Sequence, residues 1–122
     1  MGFSAEVRPP TGWLRIVGAV RPAEGEVVTT RIADDSDSAR RAGPYVAVCK
    51  VDGSVRAFRD ECPQCGLPVG GGRLDGGLLW CPGCFEPYDV RAGGVGRKRP
   101  RLRLISLSLR EDDGAVCVAL SA

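Results

Sequence analysis

Two Cys-x-x-Cys pairs constrain this chain more than any other feature of its sequence. They are Cys62 and Cys65 in CPQCG and Cys81 and Cys84 in CPGCF, in a chain that contains no histidine. A Cys-x-x-Cys turn can direct two sulfur atoms inward, and two such turns supply four ligands in a tetrahedral array. The pattern predicts a metal centre held by all four cysteines. It leaves open zinc, a single iron and an iron–sulfur cluster, because tetrahedral thiolate sites accept each of them.

The composition predicts one all-β domain. A chain of 122 residues has the length of a single domain, and its 17 Gly and 9 Pro favour turns and short strands over long helices. We expect an N-terminal extension at residues 1–12 and the domain at residues 13–120. Alternating or β-branched runs of strand length begin at Trp13 (WLRIV), Glu26 (EVVTTRI), Tyr45 (YVAVCKV), Val55 (VRAF), Leu102 (LRLISLSLR) and Ala115 (AVCVAL).

The residues between these runs predict two antiparallel hairpins. Asp52-Gly53 and Asp113-Gly114 each lie between strand-like runs, where tight hairpins need residues that accept positive φ. In the run that begins at Leu102, the alternation of apolar residues changes phase between Leu104 and Ile105. Because one strand cannot keep both sets on one face, we expect a bulge or a strand break near Leu104.

Charge and apolar patterning narrow the choice of partners. The formal net charge of +2 is too small to indicate a nucleic-acid or membrane partner. The sequence has no apolar run of membrane-spanning length, and its first 13 residues lack the apolar segment of a signal peptide. We therefore expect a cytoplasmic protein that binds neither a membrane nor a nucleic acid.

The role expected for the cysteines depends on whether the cellular compartment is reducing or oxidising. In a reducing compartment, paired Cys-x-x-Cys motifs are more often metal ligands or redox thiols than disulfides, which are the alternative. A dithiol oxidoreductase normally places its reactive thiol at a helix N-terminus, and the GLPVGG that follows Cys65 does not have a helical pattern. Cys49 and Cys117 lie singly in strand patterns, so we expect them to be core residues.

The order of landmarks along the chain resembles the Rieske ferredoxin domain. The resemblance rests on YVAVCKVDGSVRAFRDECP, GRLDGGLLWCPGCFEPYDVRAGG and LREDDGAVCVAL, and it covers the chain from about Trp13 to Leu120. It implies antiparallel sheets with a small metal-binding subdomain similar to those of rubredoxins and zinc ribbons. It also implies metal-binding loops at 62–66 and 81–85, called here the first and second cysteine turns, and a cover loop at about 93–101.

Members of that family hold a [2Fe-2S] cluster with two cysteines and two histidines, in Cys-x-His and Cys-x-x-His motifs. Their cysteines correspond to Cys62 and Cys81 of this chain, and their second histidine corresponds to Cys84. Their first histidine corresponds to Gln64, and the neighbouring Cys65 takes its place. The resemblance thus implies a [2Fe-2S] cluster with four cysteine ligands. Phe85 stands where the family commonly has glycine.

The resemblance implies a ferredoxin that carries single electrons and is not itself an enzyme. A chain of 122 residues is too short to include the separate mononuclear-iron domain of a Rieske oxygenase. Its partner would be a redox protein or a larger oxidoreductase. Zinc or a single rubredoxin-like iron stays open, because both accept the same four thiolates. With zinc, the chain would be a redox-inactive structural or protein-interaction module.

Two further groups of residues each have two interpretations. The basic run RKRPRLR at 97–103 either forms a basic rim that docks an acidic face of the redox partner, or is a solvated loop and strand edge. Trp80, Phe85 and Tyr88 either screen the metal from water or are ordinary core residues.

Overall fold

The computed structural model describes residues 13–17, 21–33, 43–112 and 115–120. Within them, ten strands pair into two antiparallel sheets, so the all-β prediction is confirmed. In this part of the chain no helix has the length and apolar character needed to cross a membrane. The strands are β1 (Leu14–Arg15), β2 (Val27–Arg31), β3 (Tyr45–Val51), β4 (Ser54–Arg59), β5 (Arg73–Asp75), β6 (Leu78–Trp80), β7 (Pro87–Asp89), β8 (Val95–Gly96), β9 (Ser106–Asp112) and β10 (Ala115–Leu120).

The larger sheet has the strand order β1-β10-β9-β4-β3-β2 in the described residues. A bridge between Ile16 and Ile32 joins its two outer strands, so the sheet closes on itself. Closure leaves fewer unpaired strand edges than an open sheet would. The closed sheet encloses a first apolar core, formed by Leu14, Ile16, Ile32, Val46, Val48, Ala57, Leu107, Val116 and Val118.

Strand β3 is buried on both faces, which explains its nearly continuous apolar sequence. Val46 and Val48 belong to the first core, while Ala47, Cys49 and Val51 belong to a second core outside the closed sheet. Successive side chains of a strand point to opposite faces, so one strand can serve both cores. The second core also contains Phe58, Val69, Leu79, Tyr88, Val90, Leu104 and two of the paired cysteines, Cys62 and Cys81.

The smaller sheet holds the two cysteine turns apart at a fixed spacing. Its strand order is β5-β6-β7-β8 among the described residues. The hairpin of β5 and β6 connects the first cysteine turn to the second, and one residue, Glu86, separates the second turn from β7. Leu79 of β6 and Tyr88 of β7 are fully buried in the second core. The packing of this sheet against the larger one therefore positions both turns.

Two local predictions are confirmed in the described residues. Asp52 and Gly53 have φ of 56° and 77° and join β3 to β4 as a hairpin. The chain breaks its strand near Leu104, because Arg103 bridges to Val95 of the smaller sheet while β9 begins at Ser106 of the larger one. The predicted extension at 1–12 and the turn at Asp113-Gly114 lie outside the described residues, although β9 and β10 do pair antiparallel.

Candidate metal centre

The first cysteine turn is closed by hydrogen bonds of its own backbone. The N–H of Gly66 donates to the carbonyl of Cys62 at 2.9 Å, and the N–H of Cys62 donates to the carbonyl of Leu67 at 2.9 Å. The N–H of Gln64 points at the Cys62 sulfur, 3.4 Å away. The turn thus supplies the sulfur with a hydrogen-bond donor, which favours the thiolate form that binds metals.

The second cysteine turn repeats this pattern. The N–H of Phe85 donates to the carbonyl of Cys81 at 3.0 Å, and the N–H of Cys81 donates to the carbonyl of Glu86 at 3.1 Å. The N–H of Gly83 lies 3.4 Å from the Cys81 sulfur. Gly66 and Phe85 occupy equivalent positions, with φ of 79° and 62°. Phe85 therefore adopts a left-handed backbone that is costly for a bulky residue.

The two turns bring the four predicted sulfur atoms together. The sulfur atoms of Cys62 and Cys84 are 3.7 Å apart, and those of Cys65 and Cys81 are 3.4 Å apart. All four lie within 4.8 Å of one another. Cys62 and Cys81 are buried, Cys84 is partly buried and Cys65 is exposed. The group therefore lies at the surface, with one edge open to solvent.

A buried tyrosine adds a donor to this group. The hydroxyl of Tyr88 lies 3.1 Å from the Cys62 sulfur. Burial alone would raise the pKa of Cys62, but hydrogen bonds from Tyr88 and from the backbone N–H groups of Cys65 and Gln64 lower it to about 6. The same environment raises the pKa of Tyr88, chiefly through burial and the bond to Cys62. Tyr88 therefore stays a hydroxyl donor beside a thiolate at neutral pH.

In the second cysteine turn, the pKa values of both cysteines are raised instead of lowered. Burial raises the pKa of Cys81 to about 12, and burial also raises the pKa of Cys84. Four adjacent thiolates repel one another, so some sulfur atoms keep their protons while no cation is bound. A metal ion at this place would displace those protons and take up the negative charge.

The structure distinguishes the three aromatic residues for which the sequence allowed two roles, screening the metal or packing in the core. Tyr88 is buried in the second core, whereas Phe85 is 63% exposed and Trp80 is half-buried. Phe85 is therefore neither a core residue nor a buried screen. Of the two single cysteines, Cys49 is buried as expected, and burial raises its pKa to about 11. Cys117, which we expected in the core as well, is only half-buried.

The basic run is largely engaged with the fold. Among the described residues it forms the pairs Arg97–Asp89 at 3.2 Å, Arg99–Glu86 at 3.1 Å, and Lys98 over the Trp80 ring at 5.6 Å. Arg103 is exposed and lines a shallow cavity together with Cys62 and Gln64. Arg103 is thus the member of the run that lies beside the first cysteine turn.

One residue of the site, Glu86, is not predicted by the sequence. This residue directly follows the second cysteine turn and is fully buried. A single acidic residue between Phe85 and Pro87 gives no sign of burial in the sequence, because Glu is usually exposed. Its partners Lys98 and Arg99 lie in the cover loop, and only the folded structure brings them together.

Comparisons with solved structures identify the fold. The Sphingomonas yanoikuyae B1 ferredoxin matches with 24% identity and a TM-score of 0.66, over 88% of this chain and 98% of the ferredoxin. The ferredoxin of carbazole 1,9a-dioxygenase from Nocardioides aromaticivorans IC177 matches with 18% identity and a TM-score of 0.65, over 91% and 100%. No family model matches this chain.

Two further matches involve oxygenases. One is a chain in the complex of reduced oxygenase and oxidized ferredoxin in carbazole 1,9a-dioxygenase, with 22% identity, a TM-score of 0.65, and coverage of 88% of this chain and 92% of that one. The other is dicamba monooxygenase, with 22% identity and a TM-score of 0.64, where 90% of this chain matches 33% of the enzyme. Together these likenesses establish a Rieske-like fold.

Replacing any one of the four clustered cysteines with serine tests the ligand set. We expect metal affinity to fall by more than about 100-fold, because even changes outside the ligand shell cost about 10- to 100-fold. Metal content after dialysis against a chelator measures the effect. Cys49→Ser is the matched control and should keep its metal, since Cys49 lies outside the group of four. Full metal retention in Cys65→Ser would remove that residue from the ligand set.

Proposed function

We propose that this chain is a small electron carrier with a Rieske-like fold and one metal ion bound by Cys62, Cys65, Cys81 and Cys84. The resident ion is iron, which in a shell of four thiolates exchanges one electron between its +2 and +3 states. The observation that carries the proposal is the close grouping of four sulfur atoms at a surface edge of the fold. Any chemistry on an organic substrate would belong to a partner.

The sulfur spacing supports one ion rather than the [2Fe-2S] cluster expected from the resemblance. Metal–sulfur bonds of about 2.3 Å separate the sulfur atoms of a tetrahedral shell by about 3.8 Å. Thiolates on the two different irons of a [2Fe-2S] cluster are separated by more than about 5 Å. Here all four sulfur atoms lie within 4.8 Å of one another, and contacts of 3.7 and 3.4 Å run between the two turns.

Surface exposure supports iron over zinc. An electron carrier needs a metal edge that a partner can approach, and Cys65 is exposed while Cys84 is partly buried. Leu67 and Phe85 add exposed apolar surface beside the turns. The Tyr88 hydroxyl and the backbone N–H groups beside the sulfur atoms are donors of the kind that tune reduction potentials. Two full-length structural neighbours are themselves described as ferredoxins.

A zinc-bound scaffold is the second candidate. Zinc takes the same tetrahedral set of four thiolates. Cys62 and Cys81 belong to the second core, so an ion between the turns would also tie that core to the smaller sheet. In that case the metal would stabilise the fold and would transfer no electrons.

The partner we propose is a redox protein, or a larger oxidoreductase, with an acidic docking face. Arg103 lies beside the first cysteine turn, and Arg101 is exposed in the cover loop. Positive charge at this place would steer an acidic partner toward the metal edge. One of the matched chains comes from a complex of reduced oxygenase and oxidized ferredoxin, which supports a larger oxidoreductase as the class of partner.

The metal and sulfide content decides between these candidates. Protein purified without oxygen from cells with ample iron should hold about one iron per chain, no acid-labile sulfide, and a visible spectrum that dithionite bleaches. Two irons with matching sulfide would replace the single ion with a [2Fe-2S] cluster. A colourless protein with one zinc per chain would exclude electron transfer and leave the scaffold function.

Removing the charge of Arg103 tests whether positive charge beside the first cysteine turn steers redox partners. Small charged oxidants replace the protein partner in this test. Arg103→Gln should slow oxidation of the reduced protein by ferricyanide, an anion, about 2- to 5-fold at low salt, and should accelerate oxidation by the cation hexaammineruthenium(III). Stopped-flow absorption measures both rates. Arg21→Gln is the control, because Arg21 pairs with Glu111 near the far end of β9. Equal changes in the two variants would mean that Arg103 sets no local potential at the metal.

A further inference from the structure

Glu86 is a buried carboxylate that the proposed metal site does not use. It is 0% exposed, and within the described residues Asp60 is the other buried charged side chain. Burying a carboxylate is costly unless hydrogen bonds satisfy its oxygen atoms. The partners of this side chain therefore indicate what its burial achieves.

The carboxylate of Glu86 binds the backbone of the cover loop. Its Oε2 accepts the N–H groups of Lys98 at 2.8 Å and Arg99 at 2.9 Å, and its Oε1 accepts Nη1 of Arg99 at 3.1 Å. Burial alone would raise the pKa of Glu86, but the bonds from Arg99 and Lys98 hold that pKa below its usual value. A charged carboxylate thus fixes a loop whose side chains are mostly basic.

The backbone of Glu86 closes the second cysteine turn. Its carbonyl accepts the N–H of Cys81 at 3.1 Å, and the residue stands two positions after Cys84 in the chain. One residue therefore connects the cover loop, through its side chain, to the second cysteine turn, through its main chain. A shift of the loop would be transmitted to the second cysteine turn along this short path.

The cover loop is also shaped around this carboxylate. A Cβ atom at Gly96 would lie 2.9 Å from Oε2 of Glu86 and 2.6 Å from the carbonyl oxygen of Arg99. Both distances are shorter than van der Waals contact, so only glycine leaves room for the loop to close on Glu86. This clearance is a second observation, independent of the hydrogen bonds, that the loop and the carboxylate fit together.

We propose that Glu86 is a positioning residue that holds the second cysteine turn in the geometry in which its sulfur atoms face the metal, by fixing the cover loop against that turn. The inference rests on the proposed metal site and adds to it a determinant outside the four cysteines. Its consequence is that loosening the bonds between Glu86 and the backbone of the cover loop changes the metal centre itself.

Cobalt(II) bound to the full-length protein is the probe, because its thiolate charge-transfer and ligand-field absorption reports tetrahedral sulfur ligation. Glu86→Gln keeps the side-chain size but turns an amide NH2 toward N–H donors, so the loop loses at least one of its bonds. We expect the cobalt spectrum to shift and cobalt release to a chelator to accelerate about tenfold. Hydrogen exchange at the Lys98 and Arg99 amides should accelerate as well.

Asp89→Asn is the matched control. The Asp89 carboxylate accepts Nη1 of Arg97 at 3.2 Å and the N–H of Arg91 at 3.0 Å, so it also binds the cover loop. The Asp89→Asn variant should lose stability without changing the cobalt spectrum or the release rate. Gly96→Ala is a second perturbing variant, which keeps Glu86 itself and should reproduce the spectral shift of Glu86→Gln.

The outcomes separate this inference from the proposed function. If Glu86→Gln and Gly96→Ala lower stability but keep the wild-type cobalt spectrum and release rate, Glu86 merely holds a loop and the inference is wrong. If the wild-type protein binds no cobalt through its sulfur atoms, the proposed metal site fails instead, before any variant is compared.

Discussion

Repulsion among four sulfur atoms is the constraint on which the rest of this structure depends. Two thiolates 4 Å apart repel by about 4 kcal/mol at an effective dielectric constant of 20. The four cysteines lie within 4.8 Å of one another, so full ionisation without a cation would be strongly unfavourable. Burial raises the pKa values of Cys81 and Cys84, so these thiols keep their protons more readily, while N–H and hydroxyl donors stabilise the Cys62 thiolate. A bound cation would neutralise the remaining negative charge.

The two sheets make different contributions to the position of the four cysteines. The closed larger sheet provides a first core that contains none of the paired cysteines. Its strand β3 also contributes to the second core, where Cys62 and Cys81 pack beside Tyr88 and Leu79. The smaller sheet sets the spacing between the cysteine turns. A metal ion between the turns would therefore be supported by the core rather than by flexible loops.

The parts that the sequence predicts are those that local chemistry determines. The Cys-x-x-Cys spacing placed four sulfur atoms together, the Asp52-Gly53 pair predicted a hairpin, and the phase change after Leu104 predicted a strand break. The strands of the smaller sheet were not among the predicted runs, because two or three residues carry too little alternation to be detected. Glu86 was missed because its burial depends on the cover loop, which follows it in the chain.

The metal could not be chosen from residue types alone, since zinc, iron and a cluster share thiolate ligands. The distances between sulfur atoms in the folded chain carry information that the motif lacks. Phe85 illustrates the same limit, because the sequence did not reveal a left-handed backbone or a side chain that is 63% exposed. Both facts depend on how the second cysteine turn is closed.

X-ray absorption at the metal edge of the isolated protein tests the central claim most directly. We expect a single shell of four sulfur atoms at about 2.3 Å from the metal and no second metal nearby. Backscattering from an iron neighbour at about 2.7 Å, as two sulfide-bridged irons produce, would contradict it.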